Sequence, residues 1–152
     1  MVRKIQRSDK LVYTQLVRAF YEETGLTVPE KHITDTYKEM MRGSRYLSAF
    51  VIINDGETVG YALVSKTYSQ REGGNIWRIE ELYVLPEHRN KGLAMEFFSF
   101  LEANCPDAVK QLRVELAPDS EIEGTLYDKL GFKEYDFCQL IKVTKWQKTP
   151  SE

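Results

Sequence analysis

Apolar and polar residues alternate along this chain with a period that changes several times, and each change predicts an element. Val2 to Gln6 reads as a short strand. Behind it stands Ser8, a side chain suited to an N-cap, and then Val12, Leu16, Ala19 and Phe20 recur at helical spacing. Gly25 ends that helix. Pro29 suits the first turn of a second helix, in which Ile33, Tyr37, Met40 and Met41 keep the same spacing as far as Gly43.

From Tyr46 to Ile53 aromatic and β-branched residues dominate, and the Asp-Gly of NDGE at 54–57 predicts a hairpin joining residues 46–53 to residues 58–68. Gly73, Gly74 and Asn75 make the next turn. The strand after it, IWRIEELYVL, is almost continuously apolar apart from Arg78, Glu80 and Glu81. Residues 91–104 put Leu93, Phe97, Phe100 and Leu101 on one helical face, with Pro106 as the stop. Val109 to Ala117 reads as a further strand. Asp119 or Ser120 caps a helix carrying Ile122, Leu126 and Leu130, Gly131 ends it, and a last strand covers 132–143.

Hairpin-joined neighbours followed by βαβ connections predict an α/β fold: a single domain over residues 1–144 with a mixed central β-sheet flanked by helices. Residues 145–152 form a polar tail, frayed in this reading, with Trp146 its one large apolar side chain.

Composition narrows what such a domain does. Over 152 residues, 42% are hydrophobic and 29% charged, the balance of a soluble folded protein. Lys and Arg number 21 against 23 Asp and Glu, a net charge of −2, which disfavours a nucleic-acid partner. Cys105 and Cys138 are too few and too far apart for a disulfide scaffold or a CxxC motif, and both are expected to be reduced and buried. MVRKIQRSDK has no apolar segment behind its basic residues, and no apolar run approaches the roughly 20 residues of a membrane helix, so the expected location is cytoplasmic.

The turn HRNKGLA between the apolar strand and the helix at 91–104 admits two readings. Short strand-to-helix turns often hold glycine and basic residues for geometry and solubility alone. Equally, a helix start exposes unpaired N–H groups, Gly92 lets a phosphate approach the backbone, Ala94 is nearly as small, and Arg89 and Lys91 add charge. The carboxylates before the turn and LYDKLGF at 126–132, one βα unit later, favour the second.

With EELYVLPEHRNKGLA, including R-x-x-G-x-A at Arg89, Gly92 and Ala94, with LYDKLGF, and with this order of elements over nearly the whole chain, the sequence resembles the GNAT superfamily of N-acetyltransferases. The resemblance implies acetyl-CoA as co-substrate. It places the pyrophosphate against the backbone of Asn90, Lys91, Gly92, Leu93 and Ala94, with Arg89 near the loop's entrance. The pantetheine arm runs along Leu82, Tyr83 and Val84, and the acetyl group sits where this strand and the one at 109–117 splay apart, beside Glu80, Glu81 and Tyr127.

An amine with a pKa of ~10 is mostly protonated at neutral pH, so acetyl transfer needs a base. Alternation puts Glu80 and Glu81 on opposite faces of the strand, Glu80 sharing parity with Leu82 and Val84. Glu80 matches the position where family members carry a carboxylate base and is preferred. The competing reading pairs either glutamate with Arg78 or Arg113 across strands. Tyr127 matches the family's tyrosine, general acid to the departing thiolate, against a plain packing role beside Leu126 and Leu130. Ser120 stands where the family often carries an Asn that contacts the cofactor, and a hydroxyl lacks an amide's reach.

His32 and His88 form no metal set with the cysteines, and His88 reads as an exposed loop residue. Direct transfer in a ternary complex is expected, to a primary amine of a small molecule or protein. The first two helices, the 68–75 turn and the last strand bound the acceptor. Glu22, Glu23 and Glu30 hint at a cationic, polyamine-like substrate. The alternative is a non-catalytic acyl-CoA-binding module. Edge strands are ready pairing surfaces, so a homodimer is compatible with the pattern.

Overall fold

The first strand, β1 (Val2–Lys4), ends two residues earlier than the apolar pattern predicts, because the N–H of Gln6 turns to the carboxylate of Asp9 at 2.7 Å. Asp9 also accepts from Arg3 Nη1 at 2.7 Å and Nη2 at 2.9 Å, and at 5% exposure it is one of the few buried charged side chains. A 3-10 turn over Arg7–Asp9 follows, so helix α1 (Lys10–Thr24) starts behind Asp9 and not behind Ser8. Gly25 ends α1 in the left-handed region, as the pattern predicts. Pro29 is the N-cap of α2 (Glu30–Met41).

In the computed structural model, which describes residues 1–117, 120–122 and 124–145, the chain forms two compact units, Met1–Pro118 and Asp119–Glu152. The first holds a five-stranded mixed sheet of β1, β2 (Leu47–Asn54), β3 (Glu57–Ser69), β4 (Gly74–Val84) and β5 (Val109–Val114), in that spatial order. Neighbours are antiparallel as far as β4, and β4 and β5 are parallel. The β2–β3 hairpin turns with Asp55 at φ 51° and Gly56 at φ 80°, the two left-handed residues that its Asp-Gly signature demands.

Alternation along the strands gives the sheet two apolar faces. On one, Ala49, Val51, Tyr61, Leu63 and Tyr83 pack with Tyr13, Leu16 and Val17 of α1 and Ile33, Tyr37 and Met40 of α2. On the other, Phe50 meets Phe97 and Phe100 of α3 (Leu93–Asn104) with ring centroids 5.9 and 5.8 Å apart. The buried stripe of α3 is Leu93, Phe97, Phe98 and Leu101, so Phe98 joins the predicted set.

In the second unit, helix α4 covers only Leu126–Lys129. Its cap is Thr125, whose Oγ1 accepts from the Asp128 N–H at 3.3 Å; Ser120 is exposed and caps nothing, and Asp119 lies outside the described residues. The predicted strand over 132–143 does not form. A strand takes its hydrogen bonds from a neighbour, and among the described residues none pairs with this segment, whose Leu140 and Ile141 are 97% and 92% exposed. The strand expected over 109–117 likewise stops at Val114. Both cysteines are free, Cys105 half-buried and Cys138 exposed, which corrects the expectation that both are buried. The predicted tail from Trp146 onward lies outside the described residues.

The Arg3 hydrogen bonds hold the Asp9 carboxyl below its ordinary pKa, against the opposing effect of burial. A depressed folded-state pKa means that this stabilisation is complete above the unfolded value of ~3.9 and is lost as pH falls through the folded value. Asp9→Ala is expected to cost about 2 kcal/mol at pH 7. The gap between wild type and variant should close in urea denaturation curves taken from pH 5 down to pH 2.

Candidate active site

The charges inside β4 are explained by a fault in the ladder. Leu63 of β3 pairs with Glu81, but the next residue, Val64, pairs with Ile79, so Glu80 is an extra residue with no partner of its own. Such a bulge breaks strict alternation. Glu80 stays in phase with Arg78 and Glu81 in phase with Tyr83, and both carboxylates reach the α1–α2 side of the sheet, where they line one cleft. The expectation that they point to opposite faces is therefore overturned: the β-period holds only where the register does.

The two glutamates are held differently. Glu81 accepts from Tyr61 Oη through Oε1 at 2.8 Å and from Tyr21 Oη through Oε2, so both of its oxygens are taken by phenols. Burial, with the carboxylate alongside, raises the pKa of Tyr61 and of Tyr21, so both stay protonated and both donate. Glu80 makes its bonds through Oε1 alone, to Ser65 Oγ and to Arg78 Nε at 2.8 Å, which leaves Oε2 for another proton among the described residues. Arg78 also binds Glu115 at 2.8 Å. The ion pair considered from sequence thus forms between Glu80 and Arg78, but within β4 and not across strands, and Arg78 takes Glu115 as a second carboxylate.

Beyond the bulge the sheet opens. The β4–β5 ladder ends at Ile79–Val114, so Leu82, Tyr83 and Val84 have β3 on one side and, among the described residues, no strand on the other. The chain then makes a 3-10 turn over Pro86–His88 and enters α3 through Asn90, at φ 62°, and Gly92, at φ 78°. Gly92 is the N-cap residue and offers no side chain to the first N–H groups of α3, and a Cβ built there would meet no atom within 4 Å. Such a helix start is a cradle suited to an anion. Lys91 is exposed beside it, Leu93 is buried under the helix, and Ala94 is half-buried.

Arg89 does not reach over that cradle. Its Nε donates to the Val84 carbonyl at 2.8 Å, its Nη2 to Glu23 of α1 at 2.6 Å, and its guanidinium lies 5.4 Å from the centre of the Tyr83 ring. It fastens the end of β4 to the end of α1. His88 is half-buried, with Nδ1 3.3 Å from Asn54 Nδ2, and is not the exposed residue expected. Glu23, on Arg89, and Glu30, on Arg18 at 2.7 Å, are both paired, which removes the sequence argument that they attract a polycation.

In the second unit, Tyr127 sits half-buried on α4, its ring edge-on to Phe132 at 5.7 Å, and burial raises its phenol pKa. Sequence reading missed the α1 and β3 tyrosines that hold Glu81, and it set His32 aside although His32 lines the cleft. Among the described residues no cluster of His, Cys, Asp or Glu is arranged to hold a metal ion, and no helix is long and apolar enough to cross a membrane.

This geometry has relatives. The family model described as acetyltransferase (GNAT) domain matches residues 45–134, and the chain belongs to that family. A possible acetyltransferase from Clostridium difficile 630 superposes with a TM-score of 0.83 at 17% identity, over 96% of this chain and 98% of that one. AAC(6')-Iy, solved in complex with the bisubstrate analogue CoA-S-monomethyl-acetylneamine, gives 0.78 at 17% identity over 95% and 98% of the two chains. Ribosomal-protein-alanine N-acetyltransferase from Brucella melitensis biovar Abortus 2308 gives 0.72 at 18% over 94% and 99%. At these identities the likeness is one of fold. No curated protein matches the sequence.

Tyr61→Phe removes one of two phenols from Glu81 in a buried setting. It should destabilise the protein by ~1.5–3 kcal/mol, the range for a hydrogen bond to a charged group, measured by chemical denaturation at neutral pH.

Proposed function

We propose that this protein transfers the acetyl group of acetyl-CoA to a primary amine, directly and in a ternary complex. The observation that carries the reading is the parting of β4 and β5 after Ile79–Val114, immediately before an uncapped α3 whose first turn follows Gly92. One strand edge and one helix start then suit the two ends of a CoA-type ligand. The backbone N–H groups from Asn90 to Ala94, with Lys91, receive the pyrophosphate, and the strand edge at Leu82 to Val84, apart from the Val84 carbonyl that Arg89 already holds, meets the amide-bearing arm. Acetyl-CoA supplies the activated thioester; everything else falls to the chain.

Glu80 is the base in this reading. Its Oε2 can take the ammonium proton directly or through a water, whereas Glu81 has both oxygens occupied. Glu81 positions the acceptor from the neighbouring register of the same bulge. Tyr127, which burial keeps protonated, takes the role that the family resemblance implies for it, general acid to the departing thiolate. Ser120 contributes at most one hydroxyl where the family often has an amide, and Arg89 acts by holding β4 against α1. The ammonium proton passes by way of Glu80 to solvent; the free amine then attacks the thioester carbonyl, the C–N bond forms as the C–S bond breaks, the second nitrogen proton goes to Glu80, and the thiolate takes the phenol proton of Tyr127, which solvent restores.

Calorimetry with acetyl-CoA should show binding that Gly92→Glu abolishes while the variant keeps its fold; no binding to the wild type would sink the proposal. A free-thiol assay against a panel of amines separates an enzyme from an acyl-CoA-binding module that performs no chemistry. Glu80→Gln and Tyr127→Phe are each expected to lower kcat by at least ~10²-fold, the usual worth of a general base or acid.

A further inference from the structure

The cleft that receives the two carboxylates is amphipathic in a way that narrows the acceptor. It is a cavity of about 320 Å³ between α1, α2 and the sheet, within the first unit. Small-molecule sites span ~300–1,000 Å³, so this one sits at the small end, matched in volume to a compact amine. One end is polar, with Glu80, Glu81 and Ser65. Its walls are mainly Val17, Val28, Ile33, Leu47 and Leu63, with His32 and Thr36 the polar residues of α2 among them, and neither Lys nor Arg lines it.

Charge is confined to that one end. Glu81 is bonded only to neutral phenols, and Glu80 shares Arg78 with Glu115, two carboxylates on one guanidinium. That leaves negative charge to meet an ammonium group. A second ammonium further along would find no further carboxylate in the lining, and burying a charge without an opposite partner is costly. The acids of α1 and α2 do not relieve it, because none of them lines the cleft, and Glu23 and Glu30 are already paired with Arg89 and Arg18.

We infer that the acceptor is a small primary monoamine with an apolar body, an arylalkyl or branched-alkyl amine, and not a polyamine, an aminoglycoside or a protein N-terminus. The inference deepens the proposed function and rests on it for the chemistry, though the cleft's selectivity is a binding property in its own right. The ammonium lies at the Glu80–Glu81 bulge. The body fills the space between Val17, Ile33, Leu47 and Leu63, with Tyr13 and Tyr21 supplying ring faces for an aryl group.

Titrations of 2-phenylethylamine, isopentylamine, spermidine, an aminoglycoside and a short peptide with a free N-terminus, each with and without CoA, test this by calorimetry. The two monoamines should bind at least 10-fold more tightly than the other three, and kcat/KM from the free-thiol assay should follow the same ranking. Val28→Asp, a change at a half-buried wall position, should narrow or reverse the preference over spermidine; Leu47→Asp serves the same purpose if the first variant folds poorly. Preference for spermidine, the aminoglycoside or the peptide overturns the inference, as does failure of every amine to bind. Turnover of spermidine with acetyl-CoA in preference to the monoamines would overturn this inference alone, whereas absent acetyl-CoA binding would overturn the proposed function while the titrations without CoA still decide this one.

Discussion

One residue too many in β4 sets the terms for the site. Glu80 has no partner in the ladder, and because of it a strand that would otherwise send neighbouring carboxylates to opposite faces sends both to one. Moving two carboxylates to one side is unfavourable unless each is compensated, and the surrounding residues do so by different means. Tyr21 and Tyr61 donate to Glu81, and Arg78 and Ser65 donate to Glu80. The same strand loses its β5 neighbour after Ile79, one residue before the bulge, so the carboxylates and the open strand edge lie side by side.

The helices make that irregularity useful. α1 brings Tyr13 and Tyr21 over the bulge, and Tyr13 sets its ring edge-on to Tyr61 at 5.4 Å, stacking aromatic area around the glutamate. Burial keeps these phenols protonated, so the cluster around Glu81 stays a donor set. On the far side of the strand's end, Arg89 ties β4 to α1 through Val84 and Glu23. The residue that heads the R-x-x-G-x-A motif thus joins the loop suited to a phosphate to the helix that walls the cleft.

Much of this was legible in the residues. Helical spacing located α1, α2 and α3, Asp-Gly located the β2–β3 turn, and HRNKGLA located the uncapped helix start, because each of these is a local preference. The bulge was not legible: a register shift depends on which β3 residue faces which β4 residue, and no single strand encodes that. The tyrosines escaped for a related reason, since Tyr21 and Tyr61 lie 60 and 20 positions from Glu81 and only the fold brings them to it. The segment 132–143 has strand-like composition, yet composition supplies no partner, and α4 keeps only the part of its predicted length that Thr125 caps.

The central claim is that the bulge puts the proton-accepting carboxylate and the acceptor amine in one cleft. A crystal structure of the protein with a bisubstrate analogue, CoA joined through sulfur to 2-phenylethylamine, tests it directly. The account predicts the amine nitrogen within hydrogen-bond reach of Glu80 Oε2, or one water away, with the pyrophosphate against residues 90–94. A nitrogen lying outside the α1–α2 cleft, near neither Glu80 nor Glu81, would contradict it.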